Sequence, residues 1–286
     1  MNGSLSDEDL NISHLSKTEL SKNEEATWES ADKEDLETIK QWVDKNKSYR
    51  TLEYFEHWVG PIEGDILELG AGHCWLSGHL SQMDKVDRVC AVELSENWLR
   101  SVAPPVLEYV NADIDVIDFY VGDFLNLEGF GANEFDIVVF DSAFHHTYHP
   151  IELLHEVSRV VKDDGYVLLQ REPTLYPLLS PNRLLGPWSI TLDNNIPREE
   201  RQAETPEQNE LIYSVKEYEL FAHMAGLELE IYPQLHDSAS LRSFRRPLVE
   251  YLGKQSQEIK KLVGLRMHTR WFIVLQSKDL PLDDRV

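Results

Sequence analysis

The chain has 286 residues and a formal net charge of -24, from 51 acidic against 27 basic residues, with 42% hydrophobic residues. That length holds one α/β domain with insertions around a sizeable core. The negative charge repels phosphate backbones and anionic bilayers, so neither nucleic acid nor membrane is an expected partner. Two cysteines, Cys74 and Cys90, with no CxxC pair and no apolar leader, predict reduced thiols in a cytoplasmic protein.

Residues 1–30 are Ser-, Asp- and Glu-rich and read as a disordered or loosely attached arm. Residues 31–62 form a helical cap, with Leu36, Ile39, Trp42 and Val43, then Leu52, Phe55 and Val59, at helical spacing. The remainder, 63–286, alternates strand and helix. Strands are expected at 65–69, 88–92, 117–121, 135–140 and 165–170, the last reached through a helix at 151–161 and an Asp163-Asp164-Gly165 turn. A helix at 214–225, closed by Gly226, precedes strands at 227–232 and 271–276. Apolar strands separated by helices indicate a mostly parallel sheet covered on both faces. Two insertions, 174–211 and 234–270, interrupt the register and read as lids.

The first strand delivers Glu68 and then the turn Gly70-Ala71-Gly72. Glycine permits positive φ and close approach of a ligand to the backbone. A dinucleotide site would want a third glycine where Trp75 stands, which disfavours NAD. Glu93 ends the second strand about 20 residues past that turn, where a carboxylate accepts both hydroxyls of a ribose. Asp123 suits an adenine amino group, with Phe124 packed on the ring. Asp141 ends the fourth strand at the mouth of the sheet. Each feature also has a structural explanation as a turn or helix cap.

In this order and spacing the motifs resemble the class I S-adenosylmethionine-dependent methyltransferases, from about Asp65 to Gly226. The resemblance implies a doubly wound, seven-stranded sheet with the last strand antiparallel. It also implies S-adenosylmethionine as cofactor and S-adenosylhomocysteine as product. Gly70 and Gly72 would face the methionyl part, with Glu68 near its amino group, Glu93 on the ribose, and Asp123 and Phe124 at the adenine. Asp141 would complete the cofactor set. Cys74 departs from the pattern, since many relatives carry a third glycine there.

Asp141-Ser142-Ala143-Phe144-His145-His146-Thr147-Tyr148 resembles the segment after the fourth strand in small-molecule members. His145 or His146 is the candidate general base, the alternative being one histidine packed on the cofactor and the other capping the next helix. No metal is expected: the histidine spacing is loose, and Gln170-Arg171-Glu172 stands where metal-dependent members carry Asp-Asn. Candidate substrate residues are Tyr148, Arg171, Trp188, Arg245 and Arg246. Arg171 and Glu172 either meet substrate or pair with each other. The basic stretch from Arg242 to Arg270, which includes Lys254 and Lys260, reads as a solvated helix face, as a dock for the acidic N-terminal arm, or as a receiver of an anionic group of the substrate.

The expected activity is methyl transfer to an oxygen, in preference to a nitrogen, of a small metabolite such as a sugar or decorated natural product. The alternatives are a protein methyltransferase and a non-catalytic scaffold of the same fold.

Overall fold

A computed structural model describes residues 10–17, 36–46, 49–175, 211–234, 250–263 and 270–277. The strands are β1 (Ile12–His14), β2 (Gly64–Leu69), β3 (Val86–Glu93), β4 (Ile117–Val121), β5 (Phe135–Asp141), β6 (Val161–Gln170), β7 (Thr174–Leu175), β8 (Tyr213–Ser214), β9 (Leu227–Gln234) and β10 (Arg270–Ser277). The helices are α1 (Leu36–Asn46), α2 (Arg50–Trp58), α3 (Trp75–Leu80), α4 (Ala103–Tyr109), α5 (Pro150–Val160), α6 (Val215–Met224) and α7 (Gln257–Val263).

Eight strands form one sheet in the order β1-β4-β3-β2-β5-β6-β10-β9. Strands β1 to β6 pair in parallel, and β10 runs antiparallel between β6 and β9. The central strands are buried on both faces, which is why they read as unbroken apolar runs. In β2, Ile66 packs into the core on one face and Leu67 and Leu69 into the core on the other. Helices α1 to α4 cover the first face, and α5 and α6 the second. Ser214 caps α6 in a reciprocal capping box with Glu217, and Gly226 takes φ +80° just past its end.

Three expectations are corrected. The sheet has eight strands rather than seven, because β1 pairs with the outer edge of β4. Part of the arm expected to be disordered or loosely attached, Leu10–Lys17, is therefore ordered, and Leu10 is buried. An open β4 edge offers unpaired amides and carbonyls, and β1 satisfies them. Finally, Asp163-Asp164-Gly165 is no free turn. It lies inside β6 as a bulge, where the register jumps from Phe135↔Val161 to Ile137↔Tyr166.

The first insertion leaves and returns through a two-stranded parallel ladder of β7 and β8, and its interior, 176–210, lies outside the described residues. Within the second insertion, residues 250–263 are described.

Candidate active site

The site lies at the carboxyl ends of β2, β3, β4 and β5, where a cavity of about 440 Å³ opens between the strand-to-helix turns. That volume falls in the range of roughly 300–1,000 Å³ for small-ligand pockets. Its wall includes Glu68, Gly70 and Gly72, Glu93, Asp123 and Phe124, Asp141, His146 and Arg171.

After β2 the chain turns sharply. Gly70 sits at φ +74°, and a Cβ there would lie 2.6 Å from that of Ala143. Gly72 sits at φ +54°, and Cys74 also holds a left-handed backbone at φ 58° as the residue before α3. A glycine would hold this conformation without the strain that the Cys74 side chain brings. Glu68 is buried, and its Oε2 accepts a hydrogen bond from Ser77 Oγ. Burial pushes its carboxyl up to about 8, with the Ser77 bond opposing.

Glu93 Oε2 accepts from Gly72 N at 2.8 Å and Oε1 from Ser95 N at 2.9 Å. These bonds join the ends of β2 and β3, and a backbone bond from Leu94 adds to them. Burial raises the Glu93 carboxyl, opposed by those backbone bonds. Asp123 Oδ1 accepts from Leu125 N at 2.9 Å. Phe124 and Trp98 supply apolar surface, and His73 stacks on Trp98 with ring centroids 6.0 Å apart and planes 15° apart. Burial lowers the His73 imidazole to about 4, so it is neutral in the working range. Trp98, in a π-helical turn (Trp98–Val102) before α4, and His73 went unrecognised in the sequence.

The ends of β5 and β6 carry one buried ion pair and one buried histidine–carboxyl contact. Arg171 Nε and Nη2 donate to Asp141 Oδ1 and Oδ2 at 2.6 and 2.7 Å. Burial raises the Asp141 carboxyl, and Arg171 holds it down. Glu172 Oε1 accepts from Ala143 N and Phe144 N, both at 3.0 Å. Its Oε2 accepts from His145 N at 3.1 Å and meets His145 Nδ1 at 2.8 Å. Arg171 and Glu172 therefore do not pair with each other. The left-handed turn at Arg171, φ 58°, sends consecutive side chains to different partners.

Of the two histidines, His145 is buried against Glu172, and His146 lines the cavity. Their rings lie 4.2 Å apart. The helix cap at α5 is His149 rather than either. Tyr148 lines a neighbouring cavity of about 380 Å³ with Pro150, Tyr213 and Phe221 instead of the one at Glu93. Trp188, Arg245 and Arg246 lie outside the described residues. Lys260, expected in an exposed basic stretch, is buried with its ammonium 4.2 Å from the centre of the Tyr232 ring. Among the described residues no group of three or more His, Cys, Asp or Glu is placed to hold a metal ion.

Residues 67–169 match the family described as Methyltransferase domain. That segment begins in β2 and ends in β6, and so spans the glycine turn, Glu93, Asp123 and the two histidines. This part of the chain is similar to the methyltransferase domain family. Among solved structures, the methyltransferase fold resembles the DhpI–SAH complex, with a TM-score of 0.52 and 13% identity over 91% of this chain and 98% of that one. It also resembles Haemonchus contortus phosphoethanolamine N-methyltransferase 2 in complex with S-adenosyl-L-methionine. There the TM-score is 0.50 and the identity 18%, over 80% of this chain and 52% of that one. The [4+2]-cyclase SpnF has a TM-score of 0.50 and 13% identity over 80% of each chain. At such identities the likeness establishes the fold and leaves the reaction open. No curated protein sequence matches the chain.

Proposed function

We propose that the chain transfers a methyl group from S-adenosylmethionine to an oxygen of a small metabolite. The observation that carries this reading is the shared cavity: Glu68, Gly70, Gly72, Glu93, Asp123 and Phe124 meet in it, with His146 on the same wall.

The residues fit the cofactor. The backbone of Gly70 and Gly72 gives room for the methionyl chain, and Glu68 offers a carboxyl to its ammonium. Glu93 offers its carboxylate at the end of β3 to the ribose hydroxyls. Asp123 and Phe124 suit the adenine edge and face, and Trp98 adds apolar wall. When bound, S-adenosylmethionine supplies an electrophilic methyl group on a sulfonium.

The chain's own contribution is alignment and proton transfer. His146 takes the proton of the acceptor hydroxyl as the oxygen attacks. His145, locked by Glu172, backs the His146 ring and limits its motion. Arg171 is a candidate contact for an anionic group on the substrate, within what its bonds to Asp141 leave free to move. A substrate of this size and polarity suits a chain whose net charge of -24 disfavours polyanionic partners.

A cyclase of the same fold makes cofactor binding without methyl transfer the competing reading. Titration with S-adenosylmethionine and S-adenosylhomocysteine, followed by a screen of hydroxylated metabolites for S-adenosylhomocysteine release, separates the two. Glu93→Ala should weaken cofactor binding at least tenfold, an effect of about 1.4 kcal/mol or more. Unchanged affinity would remove the ribose assignment.

A further inference from the structure

The N-terminal segment Leu10–Lys17 packs beside β4 and the turn after it, which carries the cavity residues Asp123 and Phe124. β1 pairs with β4 at Ile12↔Phe119, Ser13↔Tyr120 and His14↔Val121, and Leu15 N donates to Val121 O at 2.8 Å. The Leu15 side chain then lies over two glycines. A Cβ at Gly122 would stand 2.5 Å from Leu15 Cβ, and one at Gly129 2.5 Å from Leu15 Cδ2. Ser16 Oγ accepts from Asn126 Nδ2 at 2.6 Å on the same loop. Lys17 lies near enough to Glu93 and Glu96 to favour their charged forms.

These contacts bracket the cofactor turn. Gly122 N is bonded to Glu93 O at 2.9 Å, and Gly122 is followed directly by Asp123 and Phe124. β1 itself is only three residues long and lies at the edge of the sheet, where local opening is easier than at the central strands.

We propose that Leu15 is a positioning residue for the cofactor: it fixes the turn carrying Asp123 and Phe124, and the N-terminal strand and the cofactor bind cooperatively. The inference rests on the cavity being the S-adenosylmethionine site. Coupling of this kind is reciprocal, so cofactor must also steady the strand.

The test uses the full chain and S-adenosylhomocysteine. In calorimetry, Leu15→Ala raises Kd about tenfold, while Leu15→Met stays near the parent. Gly129→Ala in the parent raises Kd by a similar factor, because its methyl displaces Leu15. Added to Leu15→Ala it changes little, because Cδ2 is gone, so the two effects are non-additive. Hydrogen exchange supplies a readout on the unmodified chain: the amides of residues 12–15 slow when S-adenosylhomocysteine binds, and a purely structural strand would not respond. If Leu15→Ala binds within twofold of the parent, or if exchange at 12–15 ignores the ligand, the coupling is wrong while the cofactor site stands. A parent that does not bind the ligand overturns both.

Discussion

Replacing Glu68 with glutamine removes a proton that the folded chain holds far above the ordinary carboxyl range. Burial raises the group from 4.5 to about 8, against the opposing bond from Ser77. At about 1.4 kcal/mol per pH unit, that span corresponds to about 5 kcal/mol. The folded value is the higher one, so the native state keeps a proton that the unfolded chain has lost. The contribution is complete below 4.5 and disappears as pH rises through the window to about 8. Glutamine has the same shape, retains an oxygen for Ser77 Oγ and does not ionise. Urea denaturation between pH 5 and pH 8 should shift in favour of Glu68→Gln by about 4 kcal/mol relative to the parent. The same proton links to the cofactor. At pH 7 a carboxyl titrating near 8 is about nine-tenths protonated, and an ammonium placed beside it drives ionisation. Calorimetry in buffers of different ionisation enthalpy should give close to one proton released per cofactor bound by the parent and none attributable to this group in Glu68→Gln. Parallel stability curves for the two proteins, or equal proton release, would refute the reasoning.

Arg171→Met leaves the Asp141 carboxylate buried without its partner, which costs about 3–5 kcal/mol in denaturant unfolding. The Asp141 carboxyl then rises further, so the loss is greatest near neutral pH and shrinks in acid, and Arg171→Met/Asp141→Leu recovers much of it. Gly70→Ala puts a methyl on a backbone at φ +74° and 2.6 Å from Ala143 Cβ; it should lower stability by about 1–3 kcal/mol and weaken S-adenosylhomocysteine at least tenfold in calorimetry. Once an acceptor is found, His146→Ala should lower kcat by about 10²–10⁴ and leave cofactor affinity near that of the parent, with the base limb of the pH–rate profile lost. A variant with an unaltered profile would remove His146 as the base.

The strands that position the site were readable from the sequence because each is an apolar run bounded by a turn signal. β2 followed by Gly70 and Gly72, and α6 between Ser214 and Gly226, carry their own start and stop chemistry. The glycine–acid–aspartate order was enough to bring Glu68, Glu93 and Asp123 to one end of the sheet. What was missed depends on contacts between distant residues. β1 has three residues and polar neighbours, and it exists because β4 would otherwise leave an open edge. The Asp141–Arg171 and His145–Glu172 pairs join positions about 30 residues apart and follow only from β5 and β6 being neighbours. Trp98 left a fainter signal, an aromatic residue five positions past Glu93 at the start of the next helix. Lys260 shows the opposite failure: its charge suggested solvent, yet it is buried with its ammonium over the Tyr232 ring.

The most direct measurement is calorimetric titration of the full chain with S-adenosylmethionine and S-adenosylhomocysteine, run beside Glu93→Ala. Micromolar-range binding of both by the parent, weakened at least tenfold in the variant, is the predicted result. A folded parent that binds neither ligand would contradict the cofactor site and with it the proposed reaction.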